Sequence, residues 1–538
     1  MLNHPRLIGA AAAAALLVAQ SFAGPVGSAQ AETPPDTLIQ AWAIDDVISL
    51  DPAEVFEFTA SEILGNSYQP LVGYNVEDVS EIFGVIAESW EVSEDGKTFT
   101  FTIRPDMQFA SGNPITAADA VFSLQRAIKL DKSPAFILTQ FGFDAGNVEE
   151  KIRQTGDMTF EFEMDKAYAP TLVLYCLTAT VGFIVDKELA LEHETDGDFG
   201  YNWLKTNYAG SGAFTIREWR ANEVVVLERN ENYGGDAPPM ARAIYRHIPE
   251  GATQRLLLEQ GDIDIARSLG AEAIAALADN PDIRIESGVK GSIYYLGLNQ
   301  KNENLAKPEV RQAMKYLVDY GTIADTIMKG RVQVHQAFLP KGFLGALEDT
   351  PFSLNVEKAK ELLTEAGLPD GFSVTMDTRN TPEITAMAEA IQQTMAQAGI
   401  QMELIPGDGQ QTLTKYRARN HDIYIGRWGP DYQDPHTNAD TFARNPDNSD
   451  DAASKPLAWR NAWDIPEMTA EADAAVLESD AKKRAEMYLA IQREHQETSP
   501  FVIMFQEIEV LGMRANVHGF VIGPSFNDNS FKHVTKSE

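Results

Sequence analysis

The stretch Gly426-Arg-Trp-Gly-Pro-Asp-Tyr-Gln-Asp-Pro435 gathers residue types that hold a small charged molecule. Trp428 offers a rigid apolar face, Asp431 a carboxylate, and glycine and proline breaks constrain the chain between them. An indole beside an acid suits a cationic or amphipathic solute, through packing and charge pairing. The same residues also fit an Asp-Pro turn whose tryptophan only packs inward, and residue type alone leaves both readings open. Residues for turnover are harder to find. The sequence contains no His-Glu-x-x-His, Gly-x-Ser-x-Gly, Walker loop or Gly-x-Gly-x-x-Gly. His193-Glu194 lacks a second histidine four residues on, and Gly210-Ser211-Gly212 has the wrong glycine spacing for a nucleophile turn. It reads instead as a tight turn into the strand Ala213-Phe-Thr-Ile216. The nine histidines are scattered, and the single cysteine, Cys176, reads as a small buried hydrophobe. No catalytic group, metal site or cofactor is expected.

The elements that must position the loop alternate along the chain. Thr98-Phe99-Thr100-Phe101-Thr102-Ile103 has the period of a strand with one apolar face. Thr116 and Asp119 have the spacing of a capping box, with Val121, Leu124 and Ile128 on the following helical face. Pro308 opens a helix carrying Val310, Met314, Leu317 and Val318. Thr381, Pro382 and Gly399 bracket another, with Ile384, Met387, Ile391 and Met395 inward. Strands are expected at Ile400–Leu404 and at His421–Ile425, the second ending where the tryptophan loop begins. Helices between strands predict an α/β fold with a largely parallel sheet, in which ligands bind beyond the carboxyl ends of strands.

With 538 residues, the chain is long enough for roughly three to four domain-sized units. Its 79 acidic against 44 basic residues give a net charge of −35, which repels phosphate backbones and anionic lipid, so nucleic-acid binding is not expected. Arg6, the apolar run Leu7–Val18 and Ala29-Gln30-Ala31 have the form of an export signal cleaved after Ala31. The run is too short to span a bilayer stably, and no cysteine near the cleavage site offers a lipid anchor. The mature protein is expected free in an exported compartment, a Gram-negative periplasm.

Longer segments carry a resemblance. Ala87-Glu-Ser-Trp-Glu-Val-Ser-Glu-Asp-Gly-Lys-Thr-Phe-Thr-Phe-Thr-Ile-Arg104 and Phe109-Ala-Ser-Gly-Asn-Pro-Ile-Thr-Ala-Ala-Asp-Ala-Val-Phe122 are the longest. Gly210-Ser-Gly-Ala-Phe214, Gly261-Asp-Ile-Asp-Ile265, Val310-Arg-Gln-Ala313, Glu357–Leu363, Gly367–Gly371 and the loop Trp428–Pro435 follow in order. Through them the chain resembles the periplasmic solute-binding proteins of peptide and nickel ABC importers, the dipeptide- and oligopeptide-binding type.

The resemblance implies a two-lobed α/β binding protein with a hinge, its first lobe enlarged by an extra subdomain. The expected layout is a cleaved signal at 1–31, lobe one at 32–288 with the subdomain near 75–205, lobe two at 289–502, and a return to lobe one at 503–538. The crossings are expected near 286–290 and 498–505. By the same resemblance Asp431 meets a ligand ammonium, Trp428 and Gly429 line that wall, and Arg379 holds a ligand carboxylate, with Arg417 and Arg419 as competitors. Phe56 and Phe58 are candidate contacts from lobe one, though core packing explains them as well. Arg427 stands where relatives often carry a glycine, which bears on ligand polarity. The implied partners are a peptide or other small solute and an inner-membrane ABC permease, with a monomeric receptor. Relatives also take opines, haem, glutathione, sugars and nickel chelates, or serve as chaperones or in signalling. An exported hydrolase of peptides or glycans is the rival reading.

Overall fold

The computed structural model describes residues 33–76, 79–452 and 454–537. The export signal assigned to residues 1–31 lies outside them. Among the described residues an eleven-stranded sheet runs through the molecule. In one half, Thr37–Trp42 lies parallel to Arg242–His247 and Ile265–Ala266, and Val224–Arg229 and Phe214–Arg220 extend that side antiparallel. In the other, Ser373–Arg379 lies parallel to Gln401–Gly407 and Ile423–Trp428.

The sheet is mixed, where helix–strand alternation led to a largely parallel one. Crossover helices produce parallel pairs inside each half. The strands that join the halves are antiparallel: Ile283–Leu298 pairs with Phe501–Arg514 on one side and Ile423–Trp428 on the other. Periodicity identifies a strand but not the partner that chain closure brings from 200 residues away.

Local signals hold where they were strong. Thr98–Ile103 is a strand with Phe99, Phe101 and Ile103 buried. It is the second strand of a separate four-stranded antiparallel sheet, whose Phe101 and Phe160 rings stack at 5.2 Å. Thr116 and Asp119 form the capping box of helix Ala117–Leu130, with Leu124 and Ile128 buried and Val121 half-buried. Helix Pro308–Lys315 ends before Leu317 and Val318, which are nevertheless buried. Helix Pro382–Ala396 buries Met387, Ile391 and Met395. Gly210-Ser211-Gly212 is a close-packed turn, since a Cβ at Gly212 would lie 2.4 Å from the Ser67 carbonyl carbon.

The two long joining strands change character midway. Residues 283–289 are mostly half-exposed, whereas 290–298 are wholly buried. Pairing is regular from Ile283 opposite Arg514 to Val289 opposite Ile508, then resumes at Ile293 opposite Gln506. Three residues, Lys290 to Ser292, thus oppose Glu507 alone, a bulge that bends the pair. Buried charges hold this bend. The Lys290 ammonium donates to the Gly523 carbonyl at 2.7 Å and to Asn529 Oδ1 at 2.6 Å, and lies 2.9 Å from the Glu509 carboxylate. Glu509 also meets Arg267 at 2.6 Å, and Arg267 grips Glu62 with two bonds of 2.7 Å. Arg267 and Lys290 hold the Glu509 carboxyl down to about 2 against its burial. A depressed acid adds stability that is complete above its unfolded value and is lost as pH falls toward the folded one. The Glu509→Gln variant is therefore expected to lose about 3–5 kcal/mol at pH 7, because two buried cations lose a partner. Urea unfolding should show this deficit shrinking between pH 4.5 and pH 2; equal midpoints at pH 7 would remove Glu509 from this role.

Candidate functional site

The tryptophan loop starts where a buried strand, Ile423–Trp428, runs out. Its two aspartates take different duties. Asp434 caps helix Pro435–Phe442, accepting from the His436 amide at 2.8 Å. It also pairs with the buried Arg484 through bonds of 2.6 and 2.7 Å. The Asp-Pro turn reading thus holds for Asp434. Asp431 is left between strand and helix, its amide donating to Thr437 Oγ1 at 3.2 Å. Among the described residues it has no cation within 4.0 Å. Trp428 does both things expected of it: its ring meets Phe442 edge-on at 5.6 Å, and it lines a cavity.

That cavity, of about 690 Å³, lies between the halves of the sheet. The structure brings all six sequence-derived candidates, Asp431, Trp428, Gly429, Arg379, Phe58 and Phe56, to its wall, together with Arg417. Gly429 lets the loop lie close: a Cβ there would sit 3.1 Å from Ser292 Oγ and 3.6 Å from the Phe58 ring. Phe58 stacks on Phe526 at 4.6 Å and carries the Arg427 guanidinium 4.9 Å above its ring. Phe56 is exposed, edge-on to Phe136 at 6.1 Å. Arg419 turns elsewhere, pairing with Asp450 at 3.2 Å and lying 4.2 Å over the Trp459 ring.

Residues 81–450 match the family described as "Bacterial extracellular solute-binding proteins, family 5 Middle". The chain belongs to this family. It is 28% identical over 516 residues to the "Probable D,D-dipeptide-binding periplasmic protein DdpA" of Escherichia coli K12, covering 95% of each chain. It is 27% identical over 479 residues to the nickel-binding periplasmic protein of the same organism, covering 84% of this chain and 86% of the relative. Its fold is that of the Helicobacter pylori periplasmic binding protein DppA in complex with the peptide STSA, with a TM-score of 0.77 and 24% identity. That match covers 93% of this chain and 98% of the other. The fold is that of a two-lobed family 5 solute-binding protein, and the cavity lies between the two halves of the sheet.

Several lining residues escaped the sequence reading. Phe526 and Asn527 come from the carboxyl-terminal segment, Arg331 and Glu383 from the middle of the chain, and Glu57 lies between the two phenylalanines. None sits in a recognisable motif; only Arg427, in the loop itself, carried a signal. Charge along the wall is unevenly compensated. Arg427 pairs with Glu507 at 2.6 Å, and Arg331 with Glu383 at 3.0 Å. Glu507 keeps Arg427 charged despite burial. Asp431 has only Thr437 to oppose its desolvation, and burial reinforced by Asp440 pushes its carboxyl up to about 7. Burial also raises Glu57.

A raised acid holds its proton longer in the folded protein than in the unfolded chain, so ionising it costs stability as pH rises. The ligand-free protein should lose stability relative to Asp431→Asn between pH 4 and pH 7, by up to about 4 kcal/mol. Thermal midpoints of the two proteins measured across this range test it; parallel curves would show Asp431 already ionised at pH 4.

Proposed function

We propose that this solute-binding protein is an exported receptor that captures a small amine-bearing solute, a short peptide first, and delivers it unchanged to an inner-membrane ABC permease. One observation carries the reading: Asp431, with no cation within 4.0 Å among the described residues, sits beside an indole on the wall of an interlobe cavity that Arg379 and Arg417 also line. An ammonium entering beside Asp431 supplies the partner its surroundings withhold, and Trp428 packs the adjoining chain. Two of the relatives reported above, a probable D,D-dipeptide-binding protein and a binding protein in complex with a peptide, support the same class.

Capture works through closure. A ligand shifts an open–closed equilibrium only by its unequal affinity for the two states, and a solute touching both lobes has that inequality. We place the hinge at 289–293 and 506–508, where the pairing of the joining strands is interrupted. The first overlaps the 286–290 expected from the sequence, and the second follows the expected 498–505. Lobe one then comprises the residues before the first crossing and after the second, with the separate four-stranded sheet as its subdomain. The receptor acts as a monomer without catalysis, in the periplasm, after cleavage of the signal at Ala31.

Replacing Asp431 with alanine should weaken binding of Ala-Ala by about 3–5 kcal/mol, the usual penalty for stranding one member of a buried ion pair. Isothermal titration of both proteins at pH 7.5 provides the comparison. An unchanged dissociation constant would take Asp431 out of the site. Recovery of a chemically altered peptide from the cell would instead identify a hydrolase.

A further inference from the structure

The protein has a net charge of −35, yet many of its described lysines and arginines have no acid within 4.0 Å. Two of them face the cavity. Arg379 ends strand Ser373–Arg379 and Arg417 ends helix Gly409–Arg417, and both line the wall. Among the described residues neither has a carboxylate within 4.0 Å, whereas the other two arginines of the wall are paired with Glu507 and Glu383. Both lie close enough to Tyr424 to act electrostatically on its phenol. Arg460 stands behind them, its guanidinium 5.5 Å from the ring of Tyr416, which stacks on Tyr424 at 4.1 Å. The fixed charge at this end is therefore uncompensated by protein.

One guanidinium suffices for the single carboxylate of a simple peptide, through a bidentate contact. A second unpaired arginine beside the first adds repulsion that a single anion only partly relieves. Burial and the neighbouring Arg460 already weigh against the charge on Arg417. Neither cost is relieved by the protein's own acids, and both are relieved by a second anionic group. Arg417 also lies on a different element from Arg379, so the two can approach separate groups of one molecule.

We infer that the Arg379–Arg417 end of the cavity takes two anionic groups of one solute, so that the cargo is a peptide or amino-acid conjugate ending in a dicarboxylate. This rests on the amine-bearing, peptide-type reading for its other end, at Asp431, and adds the charge state of the far end. Such a cargo carries one positive and two negative groups, which balance Asp431 and the two arginines one for one.

The test is isothermal titration with the isosteric dipeptides Ala-Glu and Ala-Gln, and with N-acetylglutamate, which has two carboxylates and no amine. Ala-Glu should bind at least about tenfold more tightly than Ala-Gln. Arg417→Gln should weaken Ala-Glu at least about tenfold more than it weakens Ala-Gln, and raising salt should narrow the gap. Equal affinities for the two dipeptides would overturn the inference while leaving the peptide receptor standing. Should neither dipeptide bind, the peptide reading fails and N-acetylglutamate decides: binding that Arg417→Gln abolishes upholds the dicarboxylate site, and no binding overturns it. The same variant's thermal midpoint without ligand separates a folding defect from a lost contact.

Discussion

Glu509 stands on the second joining strand between two buried cations, Arg267 at 2.6 Å and Lys290 at 2.9 Å, and the geometry of the cleft follows from that contact. Arg267 is anchored by Glu62 and by its position 4.0 Å over the Trp42 ring. Lys290 lies in the bulge of the first joining strand. The carboxylate thereby ties the bend of one strand to the flank of the other. Buried ion pairs seldom add much stability over apolar packing, but removing one member is costly, so such a cluster fixes geometry more than it strengthens the fold. The fixed geometry reaches the cavity directly: Lys290 lies 4.6 Å from the Phe526 ring, and Phe526 carries Phe58 on the cavity wall.

The lobes also touch away from the bend. The Ala169 amide donates to the Val476 carbonyl at 3.2 Å, and Arg484 reaches Thr171 at 3.4 Å. Tyr432, on the loop that carries Asp431, is buried among apolar residues of the four-stranded subdomain. The acid on the cavity wall is thus carried by a segment whose next residue packs into the core of that four-stranded sheet. A carboxylate desolvated without a cation is unfavourable, and under the proposed function a solute ammonium would relieve that penalty.

Much of this was legible before any coordinates. Asp431 and Trp428 stood out because an indole, an acid and chain breaks follow a strand, and strand ends are where open α/β sheets bind ligands. Thr98–Ile103 and the capping box at Thr116 declared themselves because their determinants lie within a few residues. The roles of Asp431 and Asp434 could not be separated that way. They differ through Arg484, fifty residues on, which neutralises one and not the other.

Residue types and short spacings, acting alone, determined the alternation of helices and strands, the place of the tryptophan loop at a strand end and membership in a group of binding proteins, because each depends on neighbours along the chain. Tertiary structure decided that the sheet is mixed, that Phe526 returns from the far end to wall the cleft, and that Arg379 and Arg417 remain without acids while Arg427 and Arg331 are paired. Those outcomes depend on which distant segments share a small volume, and ionic contacts are effective over only a few ångströms. Proximity in space, which composition does not encode locally, therefore had the final word on charge.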